Sequence, residues 1–323
     1  MTFRSTFRVG AALAALAPVS AMACACGCGI FDTGVTSITP QASDSGLSVF
    51  VRTTFMDQDH NREAGHQASR DDNTDKRIQT QFYTVGFNYR ISPQWLVMAE
   101  LPLVHRDFTT IPDGAAGPER VPLTSLGDAV INLTYTGFFA NRATGLGFGI
   151  KLPTGRSTSP IDANGNQPYD RDTLPGTGST DLQVSGYHVG TIQGPAHWFA
   201  HAQFRVAVAT RAGYRPGDEV NGALGVTYDL PAGRTTLSPT LQLIGSLRGR
   251  DTGVEADNLN SGYQRLLLAP GLRVQVTRKL AIYGDVEFPI AQYVNAASSV
   301  ALEGTSGQLV APVQFKLQLD YGF

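Results

Sequence analysis

The stretch Val313-Gln314-Phe315-Lys316-Leu317-Gln318-Leu319-Asp320-Tyr321-Gly322-Phe323 decides the fold. Val313, Phe315, Leu317, Leu319, Tyr321 and Phe323 share one parity. Gln314, Lys316, Gln318, Asp320 and Gly322 share the other. In an extended chain successive side chains point to opposite faces, so this is a strand with one greasy and one wet side. A lysine and an aspartate in so apolar a segment would be costly if both faces were dry. The apolar face suits acyl chains and the polar face suits a watered interior.

The same two-faced code recurs upstream about a dozen times. Tyr83, Val85, Phe87 and Tyr89 oppose Thr84, Asn88 and Arg90. Trp95, Val97, Ala99, Leu101 and Leu103 oppose Glu100. Ala129, Ile131, Leu133 and Tyr135 oppose Asp128, Asn132 and Thr134. Leu146, Phe148, Ile150 and Leu152 oppose Gly147, Gly149 and Lys151. Trp198, Ala200, Ala202, Phe204 and Val206 oppose His201, Gln203 and Arg205. Val220, Leu224, Val226 and Tyr228 oppose Asn221, Thr227 and Asp229. Leu237, Leu241, Leu243 and Leu247 oppose Thr240, Gln242, Ser246 and Arg248. Leu266, Leu268, Leu272 and Val274 oppose Arg265, Arg273 and Gln275. Leu280, Ile282, Val286, Phe288 and Ile290 oppose Tyr283, Asp285 and Glu287. The pattern is weaker at Leu47–Phe55, with Arg52 facing in, and at Leu182–Val189.

The connections sort into two kinds that alternate strictly. Short turns fall at Ser92-Pro93-Gln94, Ala140 to Ala143, Gln193 to Ala196, Pro231 to Arg234 and Thr277-Arg278-Lys279. Long polar loops fall near Asp57–Arg77, His105–Ser125, Arg156–Thr180, Ala209–Asp218, Arg250–Ser261 and Ala291–Ser306. This arrangement is the signature of an all-β transmembrane antiparallel barrel of about twelve strands, with short periplasmic turns and long extracellular loops. Trp95 and Trp198 each follow a short turn, where an interfacial aromatic girdle belongs. A soluble β-sandwich also alternates, but its loops would not sort so cleanly.

Composition agrees. Charged residues are 16% of the 323, against roughly 25% in an average soluble domain. Mean hydropathy is −0.10, as expected when only every second residue faces lipid. A formal net charge of −2 gives no reason to expect a nucleic-acid partner. Residues 1–23 read as a signal peptide: Arg4 and Arg8, an apolar Val9 to Val19, then the cleavage site Ala21-Met22-Ala23. The chain therefore divides into this signal, a segment 24–46 that enters the lumen or hangs in the periplasm, and a barrel over 47–323. The expected location is the outer membrane of a Gram-negative cell, among outer-membrane lipid and lipopolysaccharide. Phe323, ending an alternating strand, is the feature barrel-assembly machinery reads.

Candidate site residues are the inward charges. Arg90, Glu100, Asp128, Lys151, His201, Arg205, Arg265, Arg273, Asp285, Glu287 and Lys316 are candidates for lining the lumen. Asp285 and Glu287 share a face, and pairing with Arg265 or Arg273 is preferred over a cation-attracting patch. Cys24, Cys26 and Cys28 cluster at the expected mature N-terminus. Thiolates at that spacing suit copper or zinc; a disulfide with one free thiol, or lipid on Cys24, stays open. No other cofactor is expected. Asp57 to Asp75, with His60 and His66, reads as a solvated loop. Gly145, Gly147 and Gly149 alternate along a strand and make room in the lumen.

Three further stretches carry a resemblance: Leu126-Gly127-Asp128 through Tyr135, Lys151-Leu152-Pro153-Thr154-Gly155, and Gly176-Thr177-Gly178-Ser179-Thr180-Asp181-Leu182. In this order they resemble bacterial outer-membrane barrels of the "MetA-pathway of phenol degradation" family of transporters. The resemblance implies a channel for small solutes, aromatic or hydrophobic ones among them. Independently, Glu100-Leu101-Pro102, Lys151-Leu152-Pro153 and Glu287-Phe288-Pro289 each put a proline after an inward charge, which predicts bends at the outer rim. Two alternatives to a channel are a scaffold holding a soft metal or redox partner through the cysteines, and a lipid-active hydrolase. For the latter, His188 and His201 lack an evident serine partner, so the chain is not expected to be an enzyme.

Overall fold

The alternating segments become twelve antiparallel strands. They are β1 Gly46–Gln58, β2 Asp75–Ser92, β3 Trp95–Thr110, β4 Glu119–Leu126 continuing as Ala129–Tyr135, β5 Thr144–Leu152, β6 Thr180–Gln193, β7 Ala196–Ala209, β8 Glu219–Tyr228, β9 Thr235–Arg248, β10 Tyr263–Gln275, β11 Leu280–Val294 and β12 Gln314–Gly322. The computed structural model describes residues 24–25, 46–111, 116–159, 171–253, 256–296 and 307–323. Each strand pairs with its sequence neighbours, and β12 pairs with β1, so the ring closes. Closure leaves no unpaired edge to face lipid.

Side-chain parity places the greasy face outward. Val51, Val85, Phe148, Leu224, Leu243 and Leu317, from six different strands, are all exposed. Their opposites, among them Thr84, Asn221, Gln242 and Gln318, are buried. An apolar exterior around a polar interior is stable only in a bilayer. Purified protein is therefore expected to stay monodisperse in detergent or lipid and to aggregate when detergent is withdrawn. A β-rich, monodisperse species in plain buffer, seen by light scattering, would refute the membrane assignment.

The long loops are partly strand. β2 begins at Asp75 and β3 runs to Thr110, so the second loop, expected over His105–Ser125, is the top of a tall β-hairpin with Glu119–Leu126. The inner side of this hairpin carries Phe108 and Leu123, with Ile78 of β2 beside them. They bury against Leu174 of the loop after β5 and Leu309 of the loop after β11. The last loop contributes a short strand, Gln308–Val310, paired with His60–Glu63 and, in parallel, with Cys24–Ala25. Its residues are buried, and the Gln58 amide donates to the Leu309 carbonyl at 2.9 Å. Two extracellular loops thus fold inward beneath the rim.

The three prolines mark irregularities, only one of them a plain strand end. Pro153 follows the last residue of β5. Pro102 lies mid-strand in β3, opposite the interruption of β4 at Gly127-Asp128, where the register slips by one. Having no N–H, proline offers the facing strand no donor, and the strand breaks there. Pro289 adjoins a second one-residue slip, between Leu266 and Leu267 of β10. A one-residue slip moves every later side chain to the other face. Hence Val130 and Asn132 point inward below the β4 break, while Val121 and Leu123 do so above it.

Candidate functional site

The interruption of β4 is the centre of the site. Asp128, at the break, turns its carboxylate inward and accepts four hydrogen bonds. Oδ1 takes the Gly155 N–H at 3.0 Å. Oδ2 takes the Thr177 N–H at 2.9 Å, the Thr177 hydroxyl at 2.7 Å and Lys151 Nζ at 3.0 Å. Gly155 begins the loop after β5 and Thr177 ends it, so one carboxylate ties both feet of that loop. Thr154 adds a stitch: its hydroxyl accepts the Ala129 N–H at 2.8 Å and donates to the Gly127 carbonyl at 3.0 Å. The glycines serve close approach. A methyl group on Gly155 would lie 2.7 Å from the Gly176 Cα, and one on Gly127 would lie 2.9 Å from the Pro102 ring. The three stretches that carry the family resemblance therefore meet in one clasp.

From the clasp an ion-paired belt runs round the lumen. Lys151, buried, also reaches Asp181 at 3.0 Å, and the Ser179 hydroxyl donates to the same Asp181 at 2.6 Å. Arg205 on β7 lies 3.8 Å from Asp181 and pairs with Glu219 on β8. Arg52 on β1 pairs with Glu100 on β3 at 2.9 Å. Lys316 on β12 lies 2.8 Å from Glu287 and 3.7 Å from Asp285, both on β11. Arg248 pairs with Asp251 at 2.7 Å. These five cations thus each have a carboxylate, and low-dielectric surroundings make such pairs obligatory. They enclose a cavity of about 160 Å³ lined by Arg52, Glu100, Lys151, Arg205, Glu219 and Lys316 together with Phe82, Val104, Val130, Pro102 and Pro175.

The cavity is roofed by interlocked loops. Arg171 donates to the Gly176 and Thr177 carbonyls and stacks 4.6 Å over the Tyr214 ring. The Tyr214 hydroxyl donates to Asp251 at 2.6 Å. Asp251 in turn holds the Gly217 N–H and Arg248. The loops after β5, β7 and β9 are thereby joined through one aromatic ring and one carboxylate.

Of the residues expected to line the lumen, Glu100, Asp128, Lys151, Arg205 and Lys316 surround this cavity. Asp285 and Glu287 stand just behind it on Lys316. The expected partners, Arg265 and Arg273, overlooked this lysine: β12 is as near to β11 as β10 is, and Lys316 stands directly opposite Asp285 in register. Arg265 stacks 4.8 Å from the Tyr263 ring at the outer end. Arg273 and Arg90 sit at the turn end, on Gln275 Oε1 at 2.5 Å and the Pro93 carbonyl at 3.3 Å. His201 faces the lumen between them and the belt, half-buried.

Asp181 and Glu219 were absent from the expected lumen charges, although Asp181 stands in a quoted motif. Both lie at strand starts beside loops, where alternation has too few residues to assign a face. Phe50 and Phe199 were also missed, yet each shares parity with polar inward neighbours. The glycines do make room, and neighbours use it: Tyr187 lies over Gly145, Ser185 over Gly147, and Asn132 with Gln183 over Gly149.

Other expectations find these placements. Asp57 binds Arg77 and His60 binds Asp59, both at the surface, and Asn61 meets Asn73 beneath them. Among the described residues no three His, Cys, Asp or Glu side chains gather as a metal site. The signal peptide, Cys26, Cys28 and the Cys24 side chain lie outside the described residues. His188 bonds Thr144 on the lipid face, and His105 bonds Thr124, but the Asp107 near His105 is turned to Arg120 at 2.7 Å.

No family model and no curated protein matches the chain. Among solved structures it is similar to the COG4313 outer membrane channel from Pseudomonas putida F1, with a TM-score of 0.62 at 12% identity over 91% of this chain and 100% of that one. It is similar also to the β domain of the Bordetella autotransporter Brka, with a TM-score of 0.48 at 13% identity over 86% and 100%. With its closed twelve-strand ring and lipid-facing exterior, the protein is an outer-membrane β-barrel.

Proposed function

We propose that this barrel is a channel of the "MetA-pathway of phenol degradation" type that passes small, weakly polar solutes, aromatic ones included. The cavity carries this reading. It lies inside a closed wall, and its volume of about 160 Å³ matches the roughly 150 Å³ that holds one benzene. Its charges are paired across the wall, so the lining presents no single-sign field to draw ions of either kind. Its carbon surface comes from Phe82, Val104, Val130 and the prolines. A solute with an apolar body and one hydrogen-bonding group fits such a lining better than a hydrated ion does. Outside the wall, lipid and lipopolysaccharide contact the apolar band, and Phe323 remains the proposed mark for the assembly machinery.

The test pairs two measurements on protein purified in detergent. Planar bilayers should show a small potassium chloride conductance. Liposomes carrying the protein should take up radiolabelled phenol faster than protein-free liposomes at equal lipid. Equal uptake with and without protein would sink the proposal, and so would a large, weakly selective ionic pore.

A further inference from the structure

We propose that Phe199 and Tyr283 form an inner gate on the periplasmic side of the cavity and set what leaves it. This rests on the channel reading and adds a specificity element to it. Phe199 sits near the turn end of β7 and Tyr283 near the turn end of β11. Three strands stand between them round the ring, yet the two rings are buried and pack together. Contact between strands that do not neighbour one another can only be made over the bore. Tyr187 and Val189 of β6 pack against the same pair and widen the bridge.

The wall is cut away to seat it. Phe199 lies over Gly225 of β8, and Tyr187 lies over Gly145 of β5. On β10, diagonal to Tyr283 and opposite Asp285, a Cβ on Gly271 would stand 2.9 Å from the Tyr283 hydroxyl. A side chain at any of these glycines would displace an aromatic ring toward the axis.

The bridge is latched to the charged belt above it. The Tyr283 hydroxyl donates to Asp285 Oδ2 at 2.7 Å and accepts from the Gln242 amide at 3.0 Å. That same Asp285 oxygen is 3.7 Å from Lys316, which lines the cavity. Tyr283 lies two residues nearer the β10–β11 turn than Asp285, so the bridge crosses the bore on the turn side of the cavity and of the belt. An aromatic constriction holds back hydrated ions by excluding water, while flat apolar solutes can slide against ring faces. The charge belt and the bridge together make a two-stage filter, polar above and aromatic below.

The test compares wild type with Phe199→Leu, Phe199→Ala and Tyr283→Phe, each first shown folded by its heat-modifiable electrophoretic shift. Phe199→Ala should raise single-channel potassium conductance by about three-fold or more, and Phe199→Leu by less, because the dry constriction widens. Tyr283→Phe keeps the ring and should stay within about two-fold of wild type. Phenol uptake should change little in all three, so discrimination between phenol and ions falls. Folded Phe199→Ala with wild-type conductance would overturn the gate while leaving the channel reading standing. Phenol uptake by neither wild type nor variants would overturn the channel reading itself.

Discussion

Lys316→Met is expected to destabilise the barrel by about 3–5 kcal/mol, the usual cost of removing one partner from a buried ion pair. Lys316 is 1% exposed, and its partners Asp285 and Glu287 are 0% and 2% exposed. Methionine fills much the same volume, so the loss is of charge and donors and not of packing. Two carboxylates on one strand face would then stand close together with Lys316 gone. Their negative charge would be left buried without its cation. Refolding into detergent micelles across a urea series reads the change as a shift in midpoint. The triple variant Lys316→Met, Asp285→Asn, Glu287→Gln should recover most of the loss, because replacing a whole buried ionic group is often near neutral. If Lys316→Met alone leaves the midpoint unmoved, the belt does not hold the wall together.

Lys316 also shows how far the sequence could be read. Its inward direction follows from the alternation of Gln314 to Gly322, and so does the twelve-strand ring. Lengths of turn and loop then give the two ends. What alternation cannot show is a slip of one residue. At Gly127-Asp128 and beside Pro289 the parity changes within a strand, and only the paired strand reveals it. The prolines signalled trouble at both places, but not which side chains would change face. Contacts across the bore are equally hidden. Nothing near Phe199 in sequence points to Tyr283, because that meeting depends on ring closure. Leu174 and Leu309 stand outside the alternating segments, and their partners under the tall hairpin come from strands far away in sequence. The clasp was half legible: its three motifs could be quoted in order, while their convergence on one carboxylate needed the fold.

Asp128→Ala should release the loop after β5 without unfolding the ring. The carboxylate is the common acceptor for the Gly155 and Thr177 amides and for Lys151. Without it two backbone donors at the feet of the loop lose their partner. Each unsatisfied donor costs about 1–3 kcal/mol, so the closed loop should weaken by about 2–6 kcal/mol in total. Lys151 keeps Asp181 at 3.0 Å, and the β5–β6 ladder runs unbroken from Lys151 to Thr144, so the wall below is unaffected. Hydrogen exchange separates the two parts. The Gly155 and Thr177 amides should exchange at least about ten-fold faster, while amides of β5 and β6 below Lys151 keep their protection. The roof should loosen with them, since Arg171 holds the Gly176 and Thr177 carbonyls and stacks on Tyr214. Larger neutral solutes would then reach the cavity, seen as faster liposome uptake of substituted phenols. Asp128→Asn keeps the shape and one acceptor oxygen and should fall between the two. Uniform loss of protection through β4, β5 and β6 in Asp128→Ala would mean that the carboxylate supports the wall and not the loop.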